Sequence, residues 1–170
     1  MRETPAEYTR RILNYTRNQD AMRIQQSMPK KIERAIKGLT REQMMTRPAP
    51  EKWSIGEILA HLAEAELARG YRLRLILGAN GTAVQAYDQD VWAKNSDYAH
   101  QDPRRSLEMF RVLREANLRL LKTIPKKMWR HYGMHEERGK ETIARLARMS
   151  AGHDLNHMEQ VVAIAQGLSG

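Results

Sequence analysis

The sequence contains no cysteine. That absence excludes a disulfide framework, a thiolate metal site and a cysteine nucleophile, and it leaves histidine and carboxylate to carry any chemistry. Also missing is any apolar run approaching the roughly eighteen residues that a membrane span requires, and the N-terminal stretch carries no long apolar segment. These absences predict a soluble, cytoplasmic protein with no membrane partner. No internal repeat and no low-complexity segment interrupts the pattern.

What is present is a chain of 170 residues, a length suited to one domain with a core of its own. We read 1–170 as a single helical domain, with 1–19 as a leading helical extension. The net charge of +9 raises the question of a nucleic-acid partner, and the distribution of that charge answers it. Segments 1–41 and 104–149 carry net +6 and +8, whereas 42–103 and 150–170 carry −3 and −2. The most distinctive residues, His61, His153 and His157, all fall in the two acidic segments. The basic faces are therefore expected to be solvated, without nucleic acid.

Apolar residues recur at three- and four-residue spacing nearly everywhere, which predicts an all-α fold. Tyr8, Ile12 and Tyr15 mark a short first helix. A longer one runs from about Asp20 to Gly38, where Pro29 is expected to kink or split it. Trp53-Ser54-Ile55-Gly56-Glu57-Ile58 reads as a helix start: Ser54 is the N-cap, Glu57 closes a capping box, and Trp53 and Ile58 form the hydrophobic staple. The helix it opens runs to about Gly78 and carries His61 two turns in. Residues 79–102 are expected to form a lid or connection, with a turn at Asn80-Gly81 and one helical turn around Tyr87 to Trp92. Asp102-Pro103 then opens a helix with the stripe Leu107, Phe110, Leu113, Asn117, Leu120 and Ile124, in which Asn117 interrupts an apolar face. A loop is expected from Pro125 to Gly139. The last helix, from about Lys140 to Gly167, has the inward stripe Ile143, Leu146, Ser150, His153, His157, Val161 and Ile164. Four long helices with mixed connections point to a four-helix bundle with short extra helices.

His153 and His157 stand one turn apart on one helix face, a chelating geometry for two imidazoles on one metal. His61 is the natural third ligand, the one histidine outside the last helix placed on a well-defined helix. The alternative is a set of hydrogen-bonded core histidines. Burying the pair in an apolar stripe without a metal would then cost about 1–3 kcal/mol for each unpaired ring nitrogen. His100, His131 and His135 fall in connections, as exposed or loop-packed residues. His135, just before Glu136-Glu137-Arg138-Gly139, is the one placed to approach the open end of the site. The candidate catalytic residues are Glu64, one turn from His61, for proton transfer; Gln160, on the face of the pair, for a bound water or ligand; and Asp154, beside His153, as an orienting or capping partner. Asp88 and Asp90 could enter from the middle connection.

Lys52-Trp53-Ser54-Ile55 leading to His61-Leu62 and Glu66, then Tyr87-Asp88-Gln89-Asp90, then Gly139, Thr142 and Gly152-His153-Asp154-Leu155-Asn156-His157 with Gln160 resemble the DinB-like superfamily, which includes the YfiT-type metal-dependent hydrolases and thiol transferases. The resemblance spans most of the chain from about residue 20. It implies a four-helix bundle, commonly a homodimer, with one divalent metal ion on His61, His153 and His157. Zinc or nickel leads among the metals, with iron, manganese and copper behind. It further implies hydrolysis or low-molecular-weight-thiol-dependent transfer on a small-molecule substrate, the metal activating water or thiol. The alternative is a non-catalytic, metal-stabilised helical interaction module.

Overall fold

The computed structural model describes residues 3–168. Its helices are α1 (Pro5–Tyr15), α2 (Ala21–Ala35), α3 (Arg41–Met45), α4 (Ile55–Gly78), α5 (Gln89–Asn95), α6 (Pro103–Thr123) and α7 (Ile143–Leu168). Short 3₁₀ turns occupy Tyr98–His100 and Lys126–Arg130. Three small strands, β1 (Ala83–Val84), β2 (Tyr132–His135) and β3 (Gly139–Thr142), form a sheet in that order.

The bundle consists of α2, α4, α6 and α7. α2 packs against α6 and α7, and α4 packs against the same two. α2 and α4 are therefore diagonal partners, as are α6 and α7, and helices consecutive in sequence are not all neighbours. Ile24, Met28, Ile32, Ile58, Leu59, Leu62, Phe110, Ala151 and Val161 meet in the main core. A second cluster, Leu73, Ile76, Val84, Leu121, Ile143 and Leu146, seals the end where the sheet lies.

The local signals place most helix ends. The Glu57 amide donates to Ser54 Oγ at 3.2 Å and the Ser54 amide to Glu57 Oε2 at 2.8 Å, the expected capping box. Asp102 Oδ1 accepts from the amides of Arg104 and Arg105, ahead of Pro103 in the first helical turn. α1 and α3 start on capping boxes of their own, Thr4 with Glu7 and Thr40 with Gln43. α3 had no periodic signature because five residues are too few to show one.

Pro29 does not split α2, which runs unbroken through it. A proline leaves the carbonyl four residues earlier without its helical donor, here that of Gln25. The Arg114 guanidinium supplies the replacement, with Nη1 3.2 Å from the Gln25 carbonyl oxygen. Arg114 also corrects the expected stripe of α6. The buried line is Pro103, Ser106, Phe110, Arg114, Asn117 and Leu121, so Leu107, Leu113 and Leu120 flank the face and an arginine occupies its centre.

Arg114 is 1 % exposed. It holds Asp154 of α7 with two bonds, Nη1 to Oδ2 at 2.6 Å and Nη2 to Oδ1 at 3.0 Å, and Glu66 of α4 at 2.9 Å. Asn117 donates from Nδ2 to Glu66 Oε1 at 2.9 Å and to the Glu66 carbonyl at 3.1 Å, which explains the polar break in the α6 stripe. All four bundle helices thus meet on one cation. Burial opposes the charge on Glu66, yet Arg114 and then Arg69 draw its pKa down to about 2. Burial likewise opposes the Arg114 charge, and Asp154 and Glu66 raise its pKa above the ordinary arginine value.

The expected loop at 125–139 is instead a 3₁₀ turn and a β-hairpin, and β1 joins that hairpin in parallel from the middle connection. Strands of two to four residues are too short for alternation to be read. Accordingly α7 begins at Ile143, and Lys140 belongs to β3. α1 lies on α7, tied by Arg11 to Asn156 at 2.7 Å and by the Tyr15 hydroxyl to Glu159 at 2.8 Å. Gly152 permits that approach, because a Cβ there would lie 2.0 Å from the Ile12 carbonyl oxygen. Among the described residues, no helix is long and apolar enough to cross a membrane.

Replacing Arg114 by methionine takes the guanidinium from buried Asp154 and leaves Glu66 with only Arg69 and Asn117. Urea unfolding at neutral pH is expected to show a loss of about 3–5 kcal/mol; a loss below about 1 kcal/mol would show that the hub does not hold the bundle.

Candidate metal centre

His61 projects from α4, and His153 and His157 from α7. Their exposures are 2 %, 6 % and 7 %. His153 Nε2 lies 2.9 Å from His61 Nε2 and 3.2 Å from His157 Nε2, and one nitrogen from each ring lies within 4.8 Å of the others. Among the described residues these are the histidines the fold brings together; His100 is exposed and bonded to Asp97, and His131 is half-buried at the end of a 3₁₀ turn.

Trp53, which precedes the Ser54 cap, has its ring centroid 5.0 Å from that of His61 and 6.2 Å from that of Tyr98. The sequence signal that starts α4 thus also walls one side of its histidine. On α7, the Nδ1–H of His157 donates to Gln160 Oε1 at 2.8 Å, which fixes the tautomer and leaves the Nε2 lone pair facing the other two rings.

Burial lowers the pKa of His61 and His153 well below the ordinary histidine value. It brings His157 down to about 4, against the opposing pull of Gln160. All three rings are neutral at neutral pH. One proton on His153 Nε2 can satisfy only one of its two close nitrogens, and His153 Nδ1 has no partner among the described residues. A cation resolves this arrangement because it accepts all the lone pairs at once. Metal–nitrogen bonds of about 2.0–2.1 Å set adjacent ligand nitrogens about 2.9–3.4 Å apart, which the two spacings to His153 match.

Two cavities open onto the cluster. One, of about 690 Å³, is lined by His61, His153, Arg69, Arg72, Tyr87, Asp88, Asp90 and His135 among others. The second, of about 640 Å³, is lined by His157, Gln160, Trp53 and Asn156. Tyr8, Glu3, Gln89 and Asp90 border both. A larger cavity, about 1000 Å³, lies between α2 and α6 among charged side chains and contains no histidine. We assign the chemistry to the smaller pair, where the nitrogen donors converge.

The expected catalytic residues occupy different places. Gln160 touches the cluster through His157. Asp154 is fully buried on Arg114, so it anchors the helix that carries the histidine pair. Glu64 accepts from the Tyr98 hydroxyl at 2.6 Å and lines neither cavity. Asp88 caps α5 and lines the first cavity with Asp90. His135, expected in a loop, is buried on β2 and lines the first cavity. Arg114 was missed because a basic residue in a basic segment is ordinarily solvated; its one local signal was the i, i+3 spacing to Asn117, a second polar residue on a buried face.

The histidine shifts have a measurable consequence in the metal-free protein. The unfolded chain takes up protons near pH 6.5, and the folded cluster refuses them until the pH is much lower. Stability should be flat above pH 6.5 and fall by about 1.4 kcal/mol per pH unit for each such histidine as pH drops from 6.5 to 5. Urea titrations across that window check it, and His157→Gln should reduce the slope by one histidine's share.

Comparison with known proteins places this geometry in a family. The chain is 22% identical over 147 residues to "Putative metal-dependent hydrolase YfiT" of Bacillus subtilis, covering 85% of this chain and 82% of that one. It is 23% identical over 142 residues to a protein of Oceanobacillus iheyensis named in the same terms, covering 83% and 81%. The solved structure of the Bacillus subtilis protein, described as a probable metal-dependent hydrolase with an unusual four-helix bundle topology, superposes with a TM-score of 0.81. That superposition covers 99% of this chain and 93% of the other at 19% identity. The model of the DinB superfamily matches residues 26–161, most of the chain, and the chain belongs to that superfamily.

Proposed function

We propose that the chain binds one divalent metal ion through His61, His153 and His157 and acts as a metal-dependent hydrolase or a low-molecular-weight-thiol transferase on a small-molecule substrate. The observation that carries the reading is the convergence of three buried, neutral imidazole nitrogens at the floor of two cavities. Zinc and nickel suit such a donor set best. A divalent ion with open positions, when bound, lowers the pKa of a water or thiol and so makes it a nucleophile at neutral pH.

The chain's own residues divide the remaining work. Gln160 orients His157, and the Arg114 hub holds α7 in register with α4 so that His153 meets His61. Trp53 excludes water from one side of the cluster. Proton transfer, first assigned to Glu64, passes in this reading to Asp90, which borders both cavities, while Glu64 serves Tyr98. A cavity of about 690 Å³ is of the size that encloses a small organic molecule.

Protein purified without chelator is expected to carry close to one equivalent of metal. His153→Ala with His157→Ala should abolish it; unchanged metal content in that double variant would sink the assignment. The alternative structural role rests on the fact that His61 and the histidine pair come from different helices, so an ion would cross-link them. Chelation that unfolds the protein, together with no turnover on ester or thiol panels, would favour that role.

We further propose a cytoplasmic homodimer. α4 and α6, which pack together, leave Leu67, Tyr71, Met109 and Val112 exposed. Light scattering should give twice the chain mass, and Tyr71→Glu should shift it toward the monomer.

A further inference from the structure

His135 is not needed by the proposed ligand set, yet it is held as firmly as the residues that are. It lies on β2, opposite Val84 of β1 and Gly139 of β3, at the start of the tight hairpin turn. Gly139 takes the left-handed conformation, with φ +66°, that closes the turn. The ring is 3 % exposed. Its Nδ1 accepts from the Glu137 amide at 3.2 Å, so that nitrogen carries no proton. Burial brings the pKa to about 4, so the ring is neutral at neutral pH and its single proton is on Nε2. Nε2 is shielded from solvent and has no partner among the described residues.

A buried donor without an acceptor is a cost that a fold does not ordinarily keep. The ring lines the same cavity as His61 and His153. Close around it stand two cations that line that cavity too. Arg138 is held by Glu141 through bonds of 2.9 and 3.0 Å; Arg72, 9 % exposed, donates to the Gln85 carbonyl and lies 5.3 Å from the Tyr87 ring centroid. The acidic residues of this cavity, Glu3, Asp88, Asp90 and Glu137, are exposed and form its rim. Donors therefore lie deep and acceptors lie outside.

We propose that His135 binds the substrate: on ligand entry its ring shifts toward the cavity it borders, and its Nε2–H donates to an anionic oxygen of the carboxylate class while Arg72 and Arg138 complement the charge. This deepens, and rests on, the reading of the cavity as a substrate site beside the three histidines. An anionic group is favoured by all three side chains, and none of the three can serve as an acceptor for a competing cationic group.

Acetate is the probe. With ¹⁵N-labelled, zinc-loaded protein, long-range ¹H–¹⁵N correlation should place the His135 proton on Nε2, and acetate should shift that resonance saturably. His135→Phe should weaken acetate binding by roughly tenfold, and His135→Gln, which keeps an N–H donor, should stay within about threefold of the wild type. A proton found on Nδ1, a resonance unmoved by acetate, or equal affinity in wild type and His135→Phe would each overturn the proposal. If His135→Phe fails to fold by circular dichroism, the wild-type resonance and the glutamine variant decide. The same titration in metal-free protein separates the two readings. Failure to take up stoichiometric zinc defeats the metal centre, while the acetate shift still tests His135.

Discussion

One buried cation ties the bundle together. Arg114 reaches Asp154 on α7, Glu66 on α4 and a backbone carbonyl on α2 from its own place on α6. Such a cluster adds little net stability, because desolvating its charges offsets much of their attraction. What it supplies is register. Sliding or rotating α4, α6 or α7 by a residue would strand a charge in the core, whereas a purely apolar interface tolerates such slips. Pro29, in most helices a defect, becomes part of the scheme by leaving the Gln25 carbonyl open to the guanidinium.

The histidine cluster inherits this register. Asp154 is adjacent to His153, and Glu66 lies five positions after His61, so the same two helices are indexed by the hub and joined at the histidines. The polar interior thus has two halves with opposite electrostatic character. The hub is ionic and fully paired apart from one arginine nitrogen, while the histidine cluster is neutral and under-satisfied. Lone pairs are in excess at the histidines, where a cation would be welcome, and the Arg114 cation is held elsewhere by its own carboxylates.

The parts legible in the sequence were those whose physics is local. The Ser54 capping box, the Asp102-Pro103 helix start and the inward line of α7 depend on residues within one or two turns of each other, and the structure has them where the pattern puts them. The approach of His61 to the pair on α7 was legible through the length of the helix that its cap defines. Arg114 was not, because its burial depends on three partners drawn from other helices. Nor was the sheet: β1 pairs with a strand about fifty residues away, and no periodicity within two to four residues can announce that. His135 moved from a loop to the cavity wall with that sheet.

Gly152 bears on how the site is reached. By letting the backbone of α1 press against α7 one residue before His153, it brings Tyr8 to the border of both cavities. The helix that reads in sequence as an appendage is therefore a wall of the chamber, and the partition between the two openings is shared by Glu3 and Tyr8, outside the matched family region, and Gln89 and Asp90, inside it. Changes confined to Glu3 and Tyr8 would reshape the doorways and leave the histidine floor untouched, so the shape of the entrance can vary without any change at the three histidines.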